Sequence, residues 1–214
     1  GFRPHSHEGK TMGLAAYGTP KPDLFTFIDW SGEIPRIDHS GRNVFLRTLR
    51  IREKNEPLTQ EHKDLAATVQ DCLERALLQM TRWLVAKSGS RALCMSGGVA
   101  LNCSANGKLL HSGLIDDIYI QPASSDAGVA LGAAVYRYVA STGRRPNFIF
   151  DRACFGSEYR DDEIEAVLRE AKVPYERCIN IEARTAAFLR DGKIVGWFQG
   201  RMEFGPRALG NRSI

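Results

Sequence analysis

The sequence predicts an α/β fold, because a short apolar run twice gives way to small and polar residues that can begin a helix. The first run, residues 92–95, is followed by Ser96-Gly97-Gly98, and the second, residues 118–120, by Ser124-Ser125-Asp126. Strands that alternate with helices are typical of layered α/β domains. A turn from strand to helix also presents backbone N–H groups to an anion, so residues 91–138 predict a phosphate or nucleotide site.

The segments before this stretch predict one irregular region and one long helix. Residues 23–60 mix brief apolar stretches with Gly, Pro and charged residues, which predicts short strands and a surface loop. Residues 62–87 predict an amphipathic helix that ends at Ser88-Gly89-Ser90. Its expected buried face consists of apolar residues at intervals of three or four, namely Leu65, Val69, Leu73, Leu77, Met80 and Leu84.

The central stretch itself predicts two strands, each followed by a helix. The continuous apolar run at 92–95 predicts a strand that is buried on both faces. A helix is expected over residues 100–110, and the second strand over 118–120. A closely packing helix rich in Gly and Ala is expected after a cap supplied by Ser124-Ser125-Asp126.

The remainder of the chain predicts a linker and a second set of elements. Residues 141–160 have the Gly, Pro, Ser and Asn content of a linker. Helices are expected over 161–171 and 181–190, followed by a strand over 194–198.

Composition limits the classes of protein that fit the chain. It has 214 residues, 43% of them apolar, and a formal net charge of +4. This content supports a buried core, and the mild, dispersed charge favours small anionic ligands over nucleic acid. Five scattered cysteines without a Cys-x-x-Cys pair disfavour a disulfide framework or structural zinc and favour a reducing cytoplasm. The chain contains no apolar run of about 18 residues, so no transmembrane helix is expected.

The N-terminal residues offer two weaker candidates for binding. Lys10, flanked by Gly9 and Gly13, lies either near phosphates or in an ordinary loop that leads to a short helix. His5 and His7 face one side only if their segment is extended, so they are either a metal pair or two solvated loop histidines.

The two strand-to-helix turns offer stronger candidates. Gly97 and Gly98 allow a tight turn and a close approach to a ligand, and the alternative is a purely structural turn. Asp126 is either a site carboxylate or a helix cap.

The last residues concentrate cationic groups. Residues 199–214 contain Arg201, Arg207 and Arg212, together with Glu203, three glycines and a proline. Guanidinium groups bind phosphate or carboxylate through paired donors, and glycines supply a tight backbone frame. The spacing favours a site over its alternative, a basic surface loop.

Four segments, in one order, closely resemble the O-carbamoyltransferase family, which includes nodulation-factor and antibiotic-tailoring enzymes. The likeness spans most of the chain and is weakest over 23–60 and 140–180. The last segment is very specific, whereas a lone Ser-Gly-Gly is not. The segments are Glu8-Gly9-Lys10-Thr11-Met12-Gly13-Leu14-Ala15, Ser96-Gly97-Gly98-Val99-Ala100-Leu101-Asn102, Ser124-Ser125-Asp126-Ala127-Gly128 and residues 200–214.

The resemblance implies a two-domain enzyme of which this chain is an internal piece. Residues 1–140 would be the C-terminal part of an actin/sugar-kinase-like (ribonuclease-H-like) domain, 141–160 a linker, and 161–214 the start of an adenylate-synthase-like α/β domain. Such enzymes form carbamoyl-adenylate from carbamoyl phosphate and ATP in the second domain. The first domain then transfers the carbamoyl group to a hydroxyl of a small-molecule acceptor, and neither nucleic acid nor a membrane is an expected partner.

The resemblance also implies roles for the first set of candidate residues. Asp126 matches an acidic ligand of a divalent metal, usually iron, with magnesium as the alternative. Gly97, Gly98 and Asn102 match the nucleotide-binding turn, and Lys10 is a further candidate contact for ATP. The metal-binding histidine pair of the family is expected upstream of Gly1, because His5 and His7 do not match it.

The C-terminal motif belongs with adenylate formation in this family. The resemblance implies that Arg201, Arg207 and Arg212 are catalytic and that Ser213 binds the nucleotide. Two other classes fit the same residues. One is a sugar or small-molecule kinase of the actin-like superfamily, and the other is a non-catalytic nucleotide-binding fragment.

Overall fold

A computed structural model describes residues 2–3, 6–53, 55–150 and 152–214. The chain divides into two compact units, Gly1–Ile120 and Gln121–Ile214. The mixed α/β class is confirmed by helices and small sheets in both units. The division after Ile120 differs from the predicted linker at 141–160, and the predicted domain boundary stays a prediction.

The first unit contains the predicted long helix and both predicted central strands. Its described elements, in chain order, are α1 (Glu8–Ala15), β1 (Ile28–Asp29), β2 (Arg36–Ile37), α2 (His39–Thr48), α3 (Gln60–Ser88), β3 (Ala92–Met95), α4 (Cys103–Leu110) and β4 (Asp117–Ile120). The helix α3 ends where the glycine signal predicted, because Gly89 adopts a left-handed conformation with φ of 70°.

The large apolar residues predicted for the buried face of α3 are only partly buried in the structure, because Leu65, Leu73 and Leu77 are half-buried. Val69, Met80 and Leu84 are each 42% exposed. The buried residues of α3 are mostly small, namely Ala66, Ala67, Thr68, Cys72, Glu74 and Thr81. Small side chains are buried here because they let the neighbouring backbone come close to the helix axis.

The close neighbour is the segment that follows α1. A Cβ atom added to Gly18 would lie 2.0 Å from the carbonyl oxygen of Lys63 on α3. The backbone N–H of Thr19 donates to Asp64 at 2.9 Å, and that of Lys21 donates to the fully buried Thr68 hydroxyl at 2.9 Å. The packing of α1 on α3 therefore depends on a glycine and two polar contacts.

The strands β3 and β4 form a parallel pair with the crossover through α4, as the alternating pattern predicted. Ala92 pairs with Asp117, and the register continues to Met95 with Ile120. The prediction that β3 is buried on both faces is wrong, since exposed and half-buried residues alternate along both strands. One covered face, rather than two, accounts for this alternation.

An ion pair fixes the register of this sheet at its beginning. The Arg91 guanidinium donates to both Asp116 oxygens, with its shortest contact at 2.7 Å, and to the Gly113 carbonyl at 2.9 Å. The Asp116 N–H donates to the Arg91 carbonyl at 2.8 Å. Hydrogen bonding to Arg91, together with its charge, holds the pKa of Asp116 below its usual value.

Residues 23–60 contain a helix that the sequence did not predict. The strands β1 and β2 are the expected short pair, but α2 follows them. Asp38 caps α2 by accepting from the N–H groups of Ser40 and Gly41. Phe25, Phe27 and Phe45 pack with ring centroids 5.2–5.5 Å apart, so three aromatic rings hold this region together.

The second unit contains three helices and one antiparallel strand pair among its described residues. They are α5 (Val129–Thr142), α6 (Asp161–Glu170), α7 (Ile181–Arg190), β5 (Trp197–Phe198) and β6 (Arg212–Ser213). The predicted helices over 161–171 and 181–190 are confirmed, and the strand predicted over 194–198 is shorter than expected.

A charged cluster follows α6. The Glu165 carboxylate accepts hydrogen bonds from the Tyr175 hydroxyl at 2.6 Å and from two guanidinium groups, Arg169 at 2.6 Å and Arg177 at 2.7 Å. The Tyr175 hydrogen bond is the main cause that lowers the pKa of Glu165.

No helix in the described part of the chain is long and apolar enough to cross a membrane.

The first prediction concerns Gly18 in the intact protein. We expect Gly18→Ala to lower the free energy of unfolding by about 2 kcal/mol or more, because the new methyl group would collide with the α3 backbone. The matched control is Gly13→Ala, since a Cβ at Gly13 meets no described atom within 4 Å. Within a helix that change should stabilise by about 0.5–1 kcal/mol. Urea unfolding measures both, and equal effects would contradict the packing described.

The second prediction concerns pH. Because the folded state lowers the pKa of Asp116, the Arg91–Asp116 pair stabilises the protein above the unfolded aspartate pKa of about 3.9 and loses this effect as pH falls below it. Asp116→Asn should therefore lower the unfolding midpoint at pH 7, and the difference from wild type should shrink below about pH 4. An NMR titration in which Asp116 keeps an ordinary pKa, or in which Arg91→Met leaves it unchanged, would contradict this.

Candidate functional site

The first candidate feature is the glycine turn that follows β3. Gly97 has φ of 89°, a backbone conformation that favours glycine, and a 3₁₀ turn over Gly98–Leu101 follows it. A Cβ at either Gly97 or Gly98 would meet no described atom within 4 Å. The conformation of Gly97 therefore favours glycine, and no described atom packs against either glycine where a side chain would be.

Asn102, which closes this turn, makes contacts within the protein. Its side-chain oxygen caps α4 by accepting from the Ala105 N–H at 3.0 Å. The same oxygen accepts from the Gln70 amide at 3.0 Å, and the Asn102 amide donates back at 2.8 Å. These bonds join α4 to α3. The nucleotide contact predicted for Asn102 stays a prediction, and its structural role is a new finding.

The bond to Asn102 is one end of a buried polar chain. The Gln70 amide also donates to Glu74 at 2.7 Å, and the other Glu74 oxygen is paired with the Lys108 ammonium. The Glu74 side chain is 6% exposed, whereas that of Lys108 is 58% exposed. A carboxylate this buried needs such partners. These hydrogen bonds and the ion pair therefore join α4 to α3 next to the glycine turn.

The short helix expected near the N-terminus is present as α1, and Lys10 lies within it rather than in a loop before it. Its ammonium is 3.3 Å from the His7 ring, and the Nδ1 atom of His7 accepts from the Arg3 N–H at 3.0 Å. Burial, followed by the charges of Lys10 and Arg3, lowers the pKa of His7, so the neutral ring is favoured. His5 lies outside the described residues. The phosphate contact of Lys10 remains a prediction.

A cavity of about 240 Å³ is lined by residues of α1, α3 and α4. Met12, Gln70, Glu74 and Lys108 contribute to its wall. The Met12 sulfur lies 3.9 Å from the sulfur of Cys103, the first residue of α4. The helix of Lys10 and the helix capped by Asn102 therefore share one cavity in the first unit.

A larger cavity of about 570 Å³ lies between residues 48–57 and the start of α3. Charged side chains on its wall neutralise one another. Lys21 pairs with Asp64 at 3.3 Å, and Arg50 pairs with Glu56. Its wall thus presents balanced charge.

Asp126 is an exposed residue that begins a 3₁₀ turn, Asp126–Gly128. The N-cap residue of α5 is Gly128, and no described side chain forms a capping hydrogen bond with this helix. Asp126 therefore does not cap α5. The Ser124 hydroxyl instead donates to the Gln121 carbonyl. An added Cβ on Gly128 would lie 2.3 Å from the Ala123 carbonyl oxygen, so the turn is folded back on the segment before it.

Asp126 alone does not make a metal site. Among the described residues, no group of three His, Cys, Asp or Glu side chains could hold a metal ion. A divalent ion needs more ligands than one carboxylate. Asp126 therefore fits a metal only as one ligand among others outside this set.

The second candidate feature is the arginine loop, residues 199–213, which belongs to the second unit. It leaves β5 and returns through β6, where Phe198 pairs with Arg212 and Trp197 with Ser213. The Gln199 N–H donates to the Asn211 carbonyl at 2.8 Å, and the Asn211 amide donates to the Arg201 carbonyl at 2.8 Å. Ser213, the predicted nucleotide contact, thus lies in the strand that closes the loop.

Glu203 forms the centre of the arginine loop. Its side chain is 0% exposed. Its carboxylate accepts from the Leu209 N–H at 2.9 Å, the Asn211 N–H at 2.8 Å and the Arg212 guanidinium at 3.2 Å. A buried carboxylate with two backbone donors and one cationic donor is a strong local anchor.

The three arginines of the loop have different environments. Arg212 pairs with Glu203, donates to the carbonyls of Gly205 and Arg207, and its side chain is 40% exposed. Arg201 is exposed and lies 3.5 Å from Glu158. Arg207 is half-buried. The loop therefore brings the three predicted catalytic arginines into one folded segment, although their catalytic roles stay predictions.

The loop also contacts two other segments of its unit. A Cβ on Gly205, whose φ is 105°, would lie 2.3 Å from the Pro122 carbonyl oxygen. On the opposite edge, the Gly156 N–H donates to the Met202 carbonyl at 2.9 Å and the Phe204 N–H to the Ala153 carbonyl at 2.7 Å. The structure thus places the arginine loop against the segment that leads to Asp126.

Sequence reasoning missed the two carboxylates that organise these features. Glu74 lies within the predicted helix over 62–87, where nothing in the sequence marks it, and Glu203 is the acidic residue among the arginines of 199–214. The sequence contains a signal for Glu203, because one acidic residue within a short, glycine-rich segment with several arginines favours an ion pair with one of them. Glu74 carries no comparable local signal, since its partners are distant in sequence.

A glycine turn before a helix and a folded arginine loop together define candidate sites for phosphorylated ligands. A family model described as the carbamoyltransferase N-terminus matches residues 1–135, and one described as the carbamoyltransferase C-terminus matches residues 186–214. The chain therefore belongs to the carbamoyltransferase family, which confirms the resemblance read from its four segments.

Named relatives agree with this family. The nodulation protein NolNO of Sinorhizobium fredii is 42% identical over 97% of this chain and 32% of its own length. The nodulation protein NolO of Bradyrhizobium diazoefficiens is 40% identical over 97% of this chain and 39% of its own length. The 3'-hydroxymethylcephem-O-carbamoyltransferase of Streptomyces clavuligerus is 29% identical over 96% of this chain and 38% of its own length. The chain thus spans 32–39% of the length of these relatives.

The third prediction concerns the buried Glu74. We expect Lys108→Met in the intact protein to lower the local stability of α4 by about 1–3 kcal/mol, because it leaves a buried carboxylate without its cation. Lys87→Met is the matched control, since Lys87 and Glu33 are both exposed and 3.9 Å apart. Its effect should stay below about 0.5 kcal/mol. Native-state hydrogen exchange on α4 peptides measures both, and equal losses would contradict the role of Glu74.

Proposed function

We propose that the full-length protein is an O-carbamoyltransferase that acts on a small-molecule hydroxyl. In this proposal, carbamoyl phosphate, water and ATP give carbamoyl-adenylate, phosphate and pyrophosphate. The acceptor hydroxyl then attacks the carbamoyl carbon, and AMP leaves. One observation carries the proposal: the two stretches matched by carbamoyltransferase models contain all the candidate site residues.

The proposed division of labour follows the family resemblance. The N-terminal match, with its βαβ unit and glycine turn, fits part of an actin-like domain that performs transfer. The C-terminal match begins an adenylate-forming domain and includes the arginine loop. A crossover from β3 through α4 to β4 is compatible with a ribonuclease-H-like sheet, although other α/β folds contain the same unit.

The arginine loop suits a reaction in which phosphate charge develops. Adenylation attaches the carbamoyl oxygen to the α-phosphorus and expels pyrophosphate, so negative charge builds up on the leaving group. Guanidinium groups held on a rigid backbone stabilise such charge without reorganising. Arg207 is the arginine we propose to act most directly, and the partly exposed Arg212 supports it through the loop backbone.

The first unit offers the proposed ATP contacts of the transfer domain. The open space in front of Gly97 and Gly98 suits close approach of a phosphate to the backbone. Lys10 would add a cation if the nucleotide reaches α1. Asn102 would act indirectly, because its side chain already caps α4.

Asp126 is the proposed protein ligand for a divalent metal, with iron ahead of magnesium. A bound divalent ion would supply Lewis-acid polarisation of an oxygen. The exposed carboxylate is available for this role, and further ligands would have to join it.

The names of the relatives suggest acceptors such as nodulation signals or a hydroxymethyl cephem, which share a hydroxyl group.

The fourth prediction separates the two half-reactions. In the full-length enzyme, Asp126→Ala should leave carbamoyl-phosphate-dependent pyrophosphate release intact and abolish transfer to the acceptor. It should also lower the content of bound iron, measured by mass spectrometry of the purified protein. Arg207→Ala should lose both half-reactions, with a decrease in rate on the order of a hundredfold or more.

Matched controls are exposed residues outside the site. Asp23→Ala, in the turn Pro22–Leu24, and Arg144→Ala, after α5, should change neither half-reaction. Normal transfer by Asp126→Ala would contradict the metal role, and normal pyrophosphate release by Arg207→Ala would contradict the arginine role. Phosphorylation of the acceptor by ATP without carbamoyl phosphate would favour the kinase alternative.

A further inference from the structure

Glu203 is a completely buried carboxylate at the centre of a loop that carries three arginines. Its two oxygens share one backbone donor, the Leu209 N–H, which lies 2.9 Å from Oε1 and 3.1 Å from Oε2. Oε1 also accepts from the Asn211 N–H at 2.8 Å, and Oε2 from the Arg212 Nε atom at 3.2 Å. Both oxygens therefore hold the loop backbone, and Oε2 also orients a guanidinium.

The contacts of Glu203 reach the backbone on both sides of Arg207. Arg212 is oriented by Glu203, and its Nη2 atom donates to the carbonyls of Gly205 and Arg207. Beyond Arg207, the Leu209 N–H donates directly to Glu203. The main chain that carries the Arg207 side chain is thus fixed at both ends by the same carboxylate.

A position fixed in this way matters for a cation that acts on a transition state. A misplacement of about 1 Å in a catalytic group can cost on the order of a hundredfold in rate. The loop is closed by two short strands, and its Gly205 packs against the Pro122 carbonyl. Among the described contacts, those of Glu203 and Arg212 restrain the backbone on both sides of Arg207.

We propose that Glu203 is a positioning residue for the adenylate-forming step, acting through Arg212 to hold the backbone of Arg207. This inference rests on the proposed function, because it assigns Glu203 to the step in which Arg207 stabilises charge. Glu203 itself lies inside the loop and does not contact the reacting atoms.

The variant Glu203→Gln separates the two tasks of the carboxylate. Its carbonyl oxygen, placed at the Oε1 position, can keep the shorter contacts with the Leu209 and Asn211 N–H groups. Its NH₂ group, at the Oε2 position, would lose the longer Leu209 contact and face the Arg212 guanidinium donor to donor. The loop should therefore still close, and Arg212 should lose its orientation. Removing the charge, rather than the side chain, tests positioning more than folding.

The fifth prediction is made for the full-length enzyme and measured as carbamoyl-phosphate-dependent pyrophosphate release. We expect Glu203→Gln to lower kcat by about tenfold to a hundredfold, with a smaller change in the KM for ATP and an unfolding midpoint close to wild type. In an Arg207→Ala background, Glu203→Gln should change kcat by less than about threefold, because the two residues act as one unit.

The matched control is Glu158→Gln. Glu158 is an exposed carboxylate paired with a different loop arginine, since it lies 3.5 Å from Arg201 and is 56% exposed. Its loss should change kcat by less than about twofold, as expected for an exposed pair. If Glu203→Gln does not fold, Arg212→Lys keeps the charge but loses the guanidinium fork, and it should show the same loss and the same non-additivity with Arg207→Ala.

Four outcomes decide the inference. A folded Glu203→Gln enzyme with unchanged kcat overturns it, as does a full, multiplicative loss on top of Arg207→Ala. If Arg207→Ala alone keeps normal pyrophosphate release, the proposed function of the arginine loop fails first, and this result is distinct from a failure of Glu203. Loss of kcat with non-additivity supports both proposals.

Discussion

The buried carboxylate of Glu203 is the interaction on which the arginine loop depends. Folding removes this charge from water, and the cost is met by two backbone N–H groups and the Arg212 guanidinium. Because the donors come from the far side of the loop, the chain must fold back to reach them. The same bonds that satisfy Glu203 therefore fix the shape in which the arginines are presented.

Glu74 applies the same constraint in the first unit. Its carboxylate is nearly inaccessible to water and is paired with Lys108 and Gln70, and Gln70 continues the chain to Asn102. The glycine turn thus lies next to a series of polar contacts that joins α3 to α4. In each unit, a conformationally demanding and glycine-containing segment lies next to a fully paired buried carboxylate. Such pairing costs stability relative to an apolar core but specifies one arrangement.

Membership of the carbamoyltransferase family gives these arrangements a chemical context. The phosphorylated reactants of the proposed reaction would require backbone donors and guanidinium groups that are already oriented, because a rigid polar site stabilises developing charge more effectively than a mobile one. The exposed Asp126, by contrast, has no such frame of its own. It is exposed on a turn folded against Ala123, in the same unit as the arginine loop, and its proposed metal role would require further ligands.

The sequence by itself determined the order of elements and the family. Helical periodicity, glycine stops and strand-to-helix turns are local signals, and they predicted α3, β3, α4, β4, α6 and α7. It did not predict α2, the small-residue face of α3 or the half-exposure of β3, since each depends on what packs against the element. Only the tertiary structure gave Asn102 its partner Gln70 and assigned Glu203 its place at the centre of the arginine loop. Burial of a charge is decided by the chain that folds around it, and no local pattern encodes that.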